Sequence, residues 1–159
     1  MNILFVCTGN TCRSPMAQYL FNKIAAEKGL AHEALSVGLY ALDGDPATEQ
    51  AVQALQEEGI DLSSHKATRL FEGITREADL ILTMSRGHKE ALLQLFPDLG
   101  NKVYTLKEYV GEEGDVADPF GGDIEVYRQT ALELKQLILK LIAKIEAKGA
   151  EEDENSDRV

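Results

Sequence analysis

The sequence predicts a single-domain α/β fold built on an open, four-stranded parallel sheet with helices on both faces. Three observations carry that expectation. Four short apolar runs, residues 2–6, 34–37, 80–83 and 102–106, read as strands. The stretches between them are long enough for crossover helices, which parallel strands require and hairpins do not. The chain has 159 residues, 44% of them hydrophobic, a size that suits one core burying roughly 70% of the unfolded surface.

The helices follow from their punctuation. A first helix is expected over about residues 14–28, with Pro15 in its opening turn and Gly29 as its stop. A second is expected to begin near Asp45-Pro46 and to end at Gly59. Further helical stretches are read near residues 68–77 and 86–96. The last helix starts after Asp123, where Tyr127, Ala131, Leu134, Ile138, Leu141 and Ile145 recur at spacings of four and three, the stripe of a helix with one buried face. From Gly149 onward the composition turns acidic and small, so residues 1–148 are expected to form the domain and residues 149–159 a disordered tail. Right-handed crossovers make the flavodoxin-like strand order 2-1-3-4 the economical topology. It places the loop after the first strand next to the switch point, where open α/β sheets bind ligands.

That loop carries the chemistry. The first strand ends in Cys7-Thr8-Gly9-Asn10-Thr11-Cys12-Arg13-Ser14-Pro15. A strand, a tight loop and a helix N-terminus converge backbone N–H groups and a partial positive charge on one point, a cradle for phosphate. Gly9 supplies positive φ and Asn10 tolerates it. Arg13 closes the cradle with a planar fork that can bind two phosphoryl oxygens. Cys7, at the loop floor, is the one group in the segment able to attack phosphorus strongly, and donors that hold a dianion also stabilise a thiolate. Thr8, Gly9, Asn10, Thr11, Cys12 and Ser14 are therefore candidate substrate-binding residues, and Cys7 and Arg13 candidate catalytic ones.

Composition bounds the partners. The net charge of −11 argues against nucleic-acid backbones. Only two cysteines are present, with no secretory h-region and no apolar run of bilayer length, so a reduced, cytoplasmic, monomeric protein without membrane attachment is expected. The paired acids Asp43 and Asp45, Glu57 and Glu58, and Glu112 and Glu113 read as turns or solvated helix faces. His32 and His88 have no motif around them and receive no role.

Residues 6–15 resemble the signature of the low-molecular-weight protein tyrosine phosphatases, and Asp118-Pro119-Phe120 resembles their Asp-Pro-aromatic acid motif. The resemblance spans almost the whole chain. Thr11 and the run Asp118-Pro119-Phe120-Gly121-Gly122 look like the protein-arginine phosphatase branch, in members from spore-forming Gram-positive bacteria. It implies that Cys7 attacks phosphorus while Asp118 protonates the departing atom, that Asp118 then activates water against the phosphocysteine, and that neither metal nor cofactor is needed. It also implies that Asn10, Ser14, Ser36 and His65 brace the loop. Tyr40 and Phe120 are candidate pocket walls, able to stack on a guanidinium or a phenol. Cys12 has two readings, a small core residue on the first helix or a resolving thiol for Cys7, and the resemblance favours the second.

Two other classes fit less well. A thioredoxin-coupled arsenate reductase of similar fold needs further cysteines that this chain lacks. A noncatalytic phospho-residue binder would be expected to lose Cys7 or Asp118, and both are present. Between the substrates, phosphoarginine is favoured because Thr11 adds a polar group beside the phosphoryl site and Asp118 can contact a guanidinium; phosphotyrosine is the alternative.

Overall fold

A computed structural model of the chain describes the backbone of residues 1–157 and the side chains of residues 1–152. The strands β1 (Asn2–Cys7), β2 (Glu33–Gly38), β3 (Leu80–Thr83) and β4 (Val103–Thr105) form one sheet in the order β2-β1-β3-β4. Every pairing is parallel. The helices are α1 (Arg13–Glu27), α2 (Glu49–Glu57), α3 (Glu72–Glu77), α4 (Arg86–Leu95), α5 (Leu106–Tyr109) and α6 (Ile124–Asp157), with a 3-10 turn at Pro97–Leu99. The fold class and strand order are those read from the sequence.

The two-residue period of β1 divides the interior. Ile3, Phe5 and Cys7 face a core shared with α1, α2 and α6, whereas Leu4 and Val6 face a smaller core beneath α3 and α4. The alternation continues in β3, with Leu80 and Leu82 on the first side and Ile81 on the second. Because helices cover both faces, the central strand is buried and apolar from Ile3 to Cys7. The α6 stripe of Tyr127, Ala131, Leu134, Ile138, Leu141 and Ile145 is buried in the larger core. No described helix is long and apolar enough to cross a membrane.

Four boundaries differ from expectation, two of them because the chain is recruited by residues distant in sequence. The second helix begins at Glu49 rather than near Asp45-Pro46, with the Thr48 side chain accepting the Ala51 N–H as its cap. Pro46 instead pairs in an isolated antiparallel bridge with Lys66. The third helix begins at Glu72 rather than near Thr68, since Arg69 bridges Gly38 and the Thr68 N–H is held by the Asn10 side chain. The segment from Gly149 continues α6 as helix up to Asp157 instead of breaking into a tail. A helix already nucleated by its packed turns adds further turns at little cost, and Ala147, Lys148, Ala150, Glu151 and Glu152 are favourable helix formers. Residues 158 and 159 lie outside the described part. The fourth strand is shorter than residues 102–106, because Thr105 caps α5 in a reciprocal box with Glu108.

Gly38, at the carboxyl end of β2, fixes where the Cys7 loop lies. A methyl group there would stand 2.6 Å from the Thr8 carbonyl oxygen and 2.8 Å from the Asn10 nitrogen, both backbone atoms. Gly38→Ala should therefore displace the loop and lower the unfolding free energy by about 1–3 kcal/mol. Urea denaturation of the variant beside the parent chain measures this, and an unchanged midpoint would show that the loop does not depend on that contact.

Candidate functional site

The loop between β1 and α1 is held by a buried polar network centred on Asn10. Asn10 adopts φ +56°, the single positive-φ residue other than glycine in the described chain, and is 0% exposed. Its Nδ2 donates to Ser14 Oγ at 2.9 Å and to Ser36 Oγ at 2.9 Å, and its Oδ1 accepts the Thr68 N–H at 2.9 Å. Ser36 Oγ in turn donates to Gln18 Oε1 at 2.5 Å. His65 Nε2 lies 3.0 Å from the Asn10 carbonyl oxygen, which requires that nitrogen to carry the proton. Burial lowers the His65 pKa and its bond to Asn10 offsets only part of the shift. The Asn10 side chain is thus fully engaged in bracing, and only its backbone N–H, 3.3 Å from Cys7 Sγ, points at that sulfur.

Cys7 Sγ, buried at the loop floor, is 2.8 Å from Ser14 Oγ. Arg13, in the first turn of α1, is buried as well. Its Nη1 donates to the Val116 carbonyl at 3.1 Å and its Nη2 is 3.5 Å from Asp118 Oδ2. Its Nε is buried without a protein acceptor among the described residues. A guanidinium with a free donor and a half-exposed carboxylate partner is suited to exchange that partner for the oxygens of a bound anion. The Asp118 loop is tied locally, the Phe120 N–H donating to Asp118 Oδ1 at 3.1 Å. Cys12 Sγ lies 4.0 Å from Asp118 Oδ1. Burial first, and the neighbouring Cys7 second, push the Cys12 thiol up to about 12.

The remaining candidates lie on the rim. Thr8 is exposed and Thr11 partly so. Tyr40 and Phe120 are 66% and 71% exposed, and the Tyr40 N–H donates to the Thr8 carbonyl at 3.0 Å. Gly9 does not take the positive φ expected of it, which falls to Asn10 instead; it lies beside Thr11, whose Oγ1 would be 3.7 Å from a methyl placed on it. Among the described residues no three His, Cys, Asp or Glu side chains are grouped as metal ligands. The loop therefore brings together a thiol, a guanidinium and a carboxyl group that lies 106 residues downstream of Cys12, a set suited to phosphoryl transfer through sulfur.

Sequence reasoning missed Gln18, Thr68, Val116 and His88. Gln18 had a signal, since it follows Ser14 by one helical turn on the same face. His88 had none. Its Nε2 is 2.8 Å from Thr8 Oγ1, and it is buried near Arg13.

Over residues 2–151 the sequence matches the family described as low molecular weight phosphotyrosine protein phosphatase. It is 49% identical over 142 residues to a protein-arginine-phosphatase of Bacillus subtilis, covering 89% of this chain and 94% of that protein. It is 43% identical over 141 residues to a Staphylococcus aureus low molecular weight protein-tyrosine-phosphatase, PtpB, covering 89% of this chain and 96% of that protein. Among solved structures, it superposes with a TM-score of 0.89 and 46% identity on a cysteine-to-serine mutant of the YwlE arginine phosphatase whose active-site serine is phosphorylated, covering 92% of this chain and 96% of that one.

Acid should loosen this site in a defined window. Burial, then Arg13, depress the His88 pKa from 6.5 to about 4. The unfolded chain therefore binds the proton that the folded chain refuses, so the contribution is complete above pH 6.5 and is lost as pH falls towards 4. The shift from 6.5 to about 4 corresponds to at most roughly 3 kcal/mol. Urea midpoints at pH 7.5, 6 and 5 should fall more steeply for the parent chain than for His88→Gln. Parallel curves would remove His88 from the account.

Proposed function

Because the chain belongs to the low-molecular-weight phosphotyrosine protein phosphatase family, we propose that it is a metal-independent, cysteine-dependent protein phosphatase that hydrolyses phosphoarginine in proteins. One observation carries the substrate class, the 49% identity over nearly the whole length with a protein-arginine-phosphatase. The geometry supplies the steps. Cys7 Sγ attacks phosphorus in line, and the bond from phosphorus to the guanidine nitrogen breaks as Asp118 gives that nitrogen a proton. Arg13 and the loop N–H groups hold the three outer oxygens of the phosphoryl group as their charge builds. The product is a phosphocysteine and a free arginine side chain. Asp118, now a carboxylate, takes a proton from water whose oxygen attacks phosphorus. The S–P bond breaks, its electron pair returns to Cys7, and phosphate leaves.

Ser14 Oγ, 2.8 Å from the sulfur, is placed to donate to the thiolate at the start and at the end of the cycle. The Asn10 network holds the loop amides in their converging arrangement before substrate arrives, so no reorganisation is required at the moment of reaction. Thr11, on the rim, presents a hydroxyl where a phenol-selective cleft wants an apolar wall, and Asp118 can pair with a cationic head as well as protonate it. The Staphylococcus aureus relative, 43% identical, is a protein-tyrosine-phosphatase, so phosphotyrosine is the competing substrate.

Cys12 supports reversible redox protection of the same site. Peroxide converts the Cys7 thiolate to a sulfenic acid, and the Cys12 sulfur then displaces water to give a Cys7–Cys12 disulfide, which a dithiol reductant reopens. Burial holds the Cys12 thiol up at about 12, with the Cys7 charge a lesser cause, and oxidation of Cys7 removes that lesser part as the resolving step begins. A chain that relies on two reduced thiols fits a cytoplasmic setting. Monomeric action on phosphorylated proteins, without nucleic acid, is part of the same reading.

Initial rates on matched phosphoarginine and phosphotyrosine peptides test the substrate. Phosphoarginine should be preferred, Cys7→Ser should abolish turnover, and Asp118→Asn should slow it by about 10²–10⁴. EDTA should have no effect. In Thr11→Ile the kcat/KM ratio should move at least tenfold towards phosphotyrosine, or about 1.4 kcal/mol. A parent chain that prefers phosphotyrosine would replace the substrate, and activity retained in Cys7→Ser would replace the mechanism. After mild peroxide, a thiol reductant should restore the parent enzyme and fail to restore Cys12→Ser; equal recovery of the two would discard the protective disulfide.

A further inference from the structure

We propose that His88 is a positioning residue that holds the Thr8 hydroxyl at the mouth of the cleft, where it accepts a guanidinium N–H of the substrate and so selects a phosphorylated guanidine over a phosphorylated phenol. The inference rests on the phosphoarginine reading and deepens it. Thr8 directly follows the nucleophile and is exposed, yet its Oγ1 is fixed 2.8 Å from His88 Nε2. The ring itself cannot wander. His88 is buried in the first turn of α4, and its backbone N–H donates to the Ser85 side chain that caps that helix, at 3.1 Å.

A hydroxyl has one proton and two lone pairs. If Thr8 donates to the imidazole, both lone pairs remain; if it accepts, one lone pair and the proton remain. In either tautomer an acceptor faces the cleft. His88 Nδ1 is buried with no partner among the described residues, and a bare lone pair is left unpaired more readily than an N–H. This assigns the proton to Nε2, so that Thr8 accepts from the ring and presents both a lone pair and its own O–H outward. A phosphorylated guanidine offers an N–H next to a P–O and can use both. A phenyl phosphate offers only the P–O. The imidazole is also electrically silent, since burial and Arg13 outweigh Asp115 and Asp118 and push its pKa down to about 4. At neutral pH it brings no positive charge towards a cationic substrate head.

The test compares kcat/KM on a phosphoarginine peptide and on p-nitrophenyl phosphate. Thr8→Val removes the hydroxyl and keeps its shape, His88→Leu removes the ring bond, and His88→Gln returns an amide at similar reach. Thr8→Val and His88→Leu should each lose at least tenfold more on phosphoarginine than on p-nitrophenyl phosphate. The double variant should lose no more selectivity than Thr8→Val alone, because His88 acts through Thr8, and His88→Gln should recover most of it. Equal losses on both substrates would mean that the hydroxyl serves only the phosphoryl group, and additive losses in the double variant would mean that His88 acts by another route; either overturns the proposal. Should His88→Leu not fold, the ratio for the exposed Thr8→Val decides. A parent chain that hydrolyses p-nitrophenyl phosphate but not phosphoarginine overturns the substrate class and this inference together, whereas a parent preference that survives both substitutions overturns this inference alone.

Discussion

The structure depends on a single buried side chain in an uncommon backbone state. Asn10 turns the chain through φ +56°, which sets its own N–H 3.3 Å from the Cys7 sulfur. Such a turn is sustained only when its surroundings over-determine it. Here they do so from four directions, with Ser14 on α1, Ser36 on β2, the Thr68 backbone and the His65 ring each taking one bond. Remove one partner and a buried polar atom loses its bond, at a cost of about 1–3 kcal/mol. The setting of the Cys7 sulfur is therefore paid out of the fold's own stability.

Legibility in the sequence follows the range of the cause. Strand positions, the α6 stripe and the Cys7 loop were readable because neighbouring residues dictate them through period, punctuation and motif. The second and third helices begin later than their local signals suggest, because residues 45–47 and 68–71 have local tendencies that long-range bonds override. Pro46 pairs with Lys66, and Thr68 donates to Asn10. Both overridden stretches neighbour the Asn10 loop, so sequence reading failed where the molecule subordinates local preference to its site. Past Gly149 the failure has another origin. Composition describes how a segment behaves alone, and this one is carried by the helix before it.

The site residues divide in the same way. Cys7, Arg13 and Ser14 lie in one short segment and announce themselves. Asp118 needed the likeness to a family, since Asp-Pro in a glycine-rich loop is otherwise an ordinary turn. His88 could not be found at all, because a lone histidine near the start of an amphipathic helix carries no pattern, and only its distance from Thr8 gives it meaning.

The reach of these contacts has a consequence for the chain during synthesis. The cradle's backbone is written in the first dozen or so residues, yet its supports come from Ser36, His65, Thr68 and His88, and the Arg13 guanidinium is anchored on Val116 and Asp118. The sheet repeats the pattern, since β1 is central and must wait for β2 and β3, both parallel partners. Contacts so distant in sequence close late in folding. A ribosome-bound or truncated chain holding Cys7 but lacking the residues around Val116 carries an unassembled thiol rather than a working phosphatase, so the reactive sulfur emerges first and is armed last.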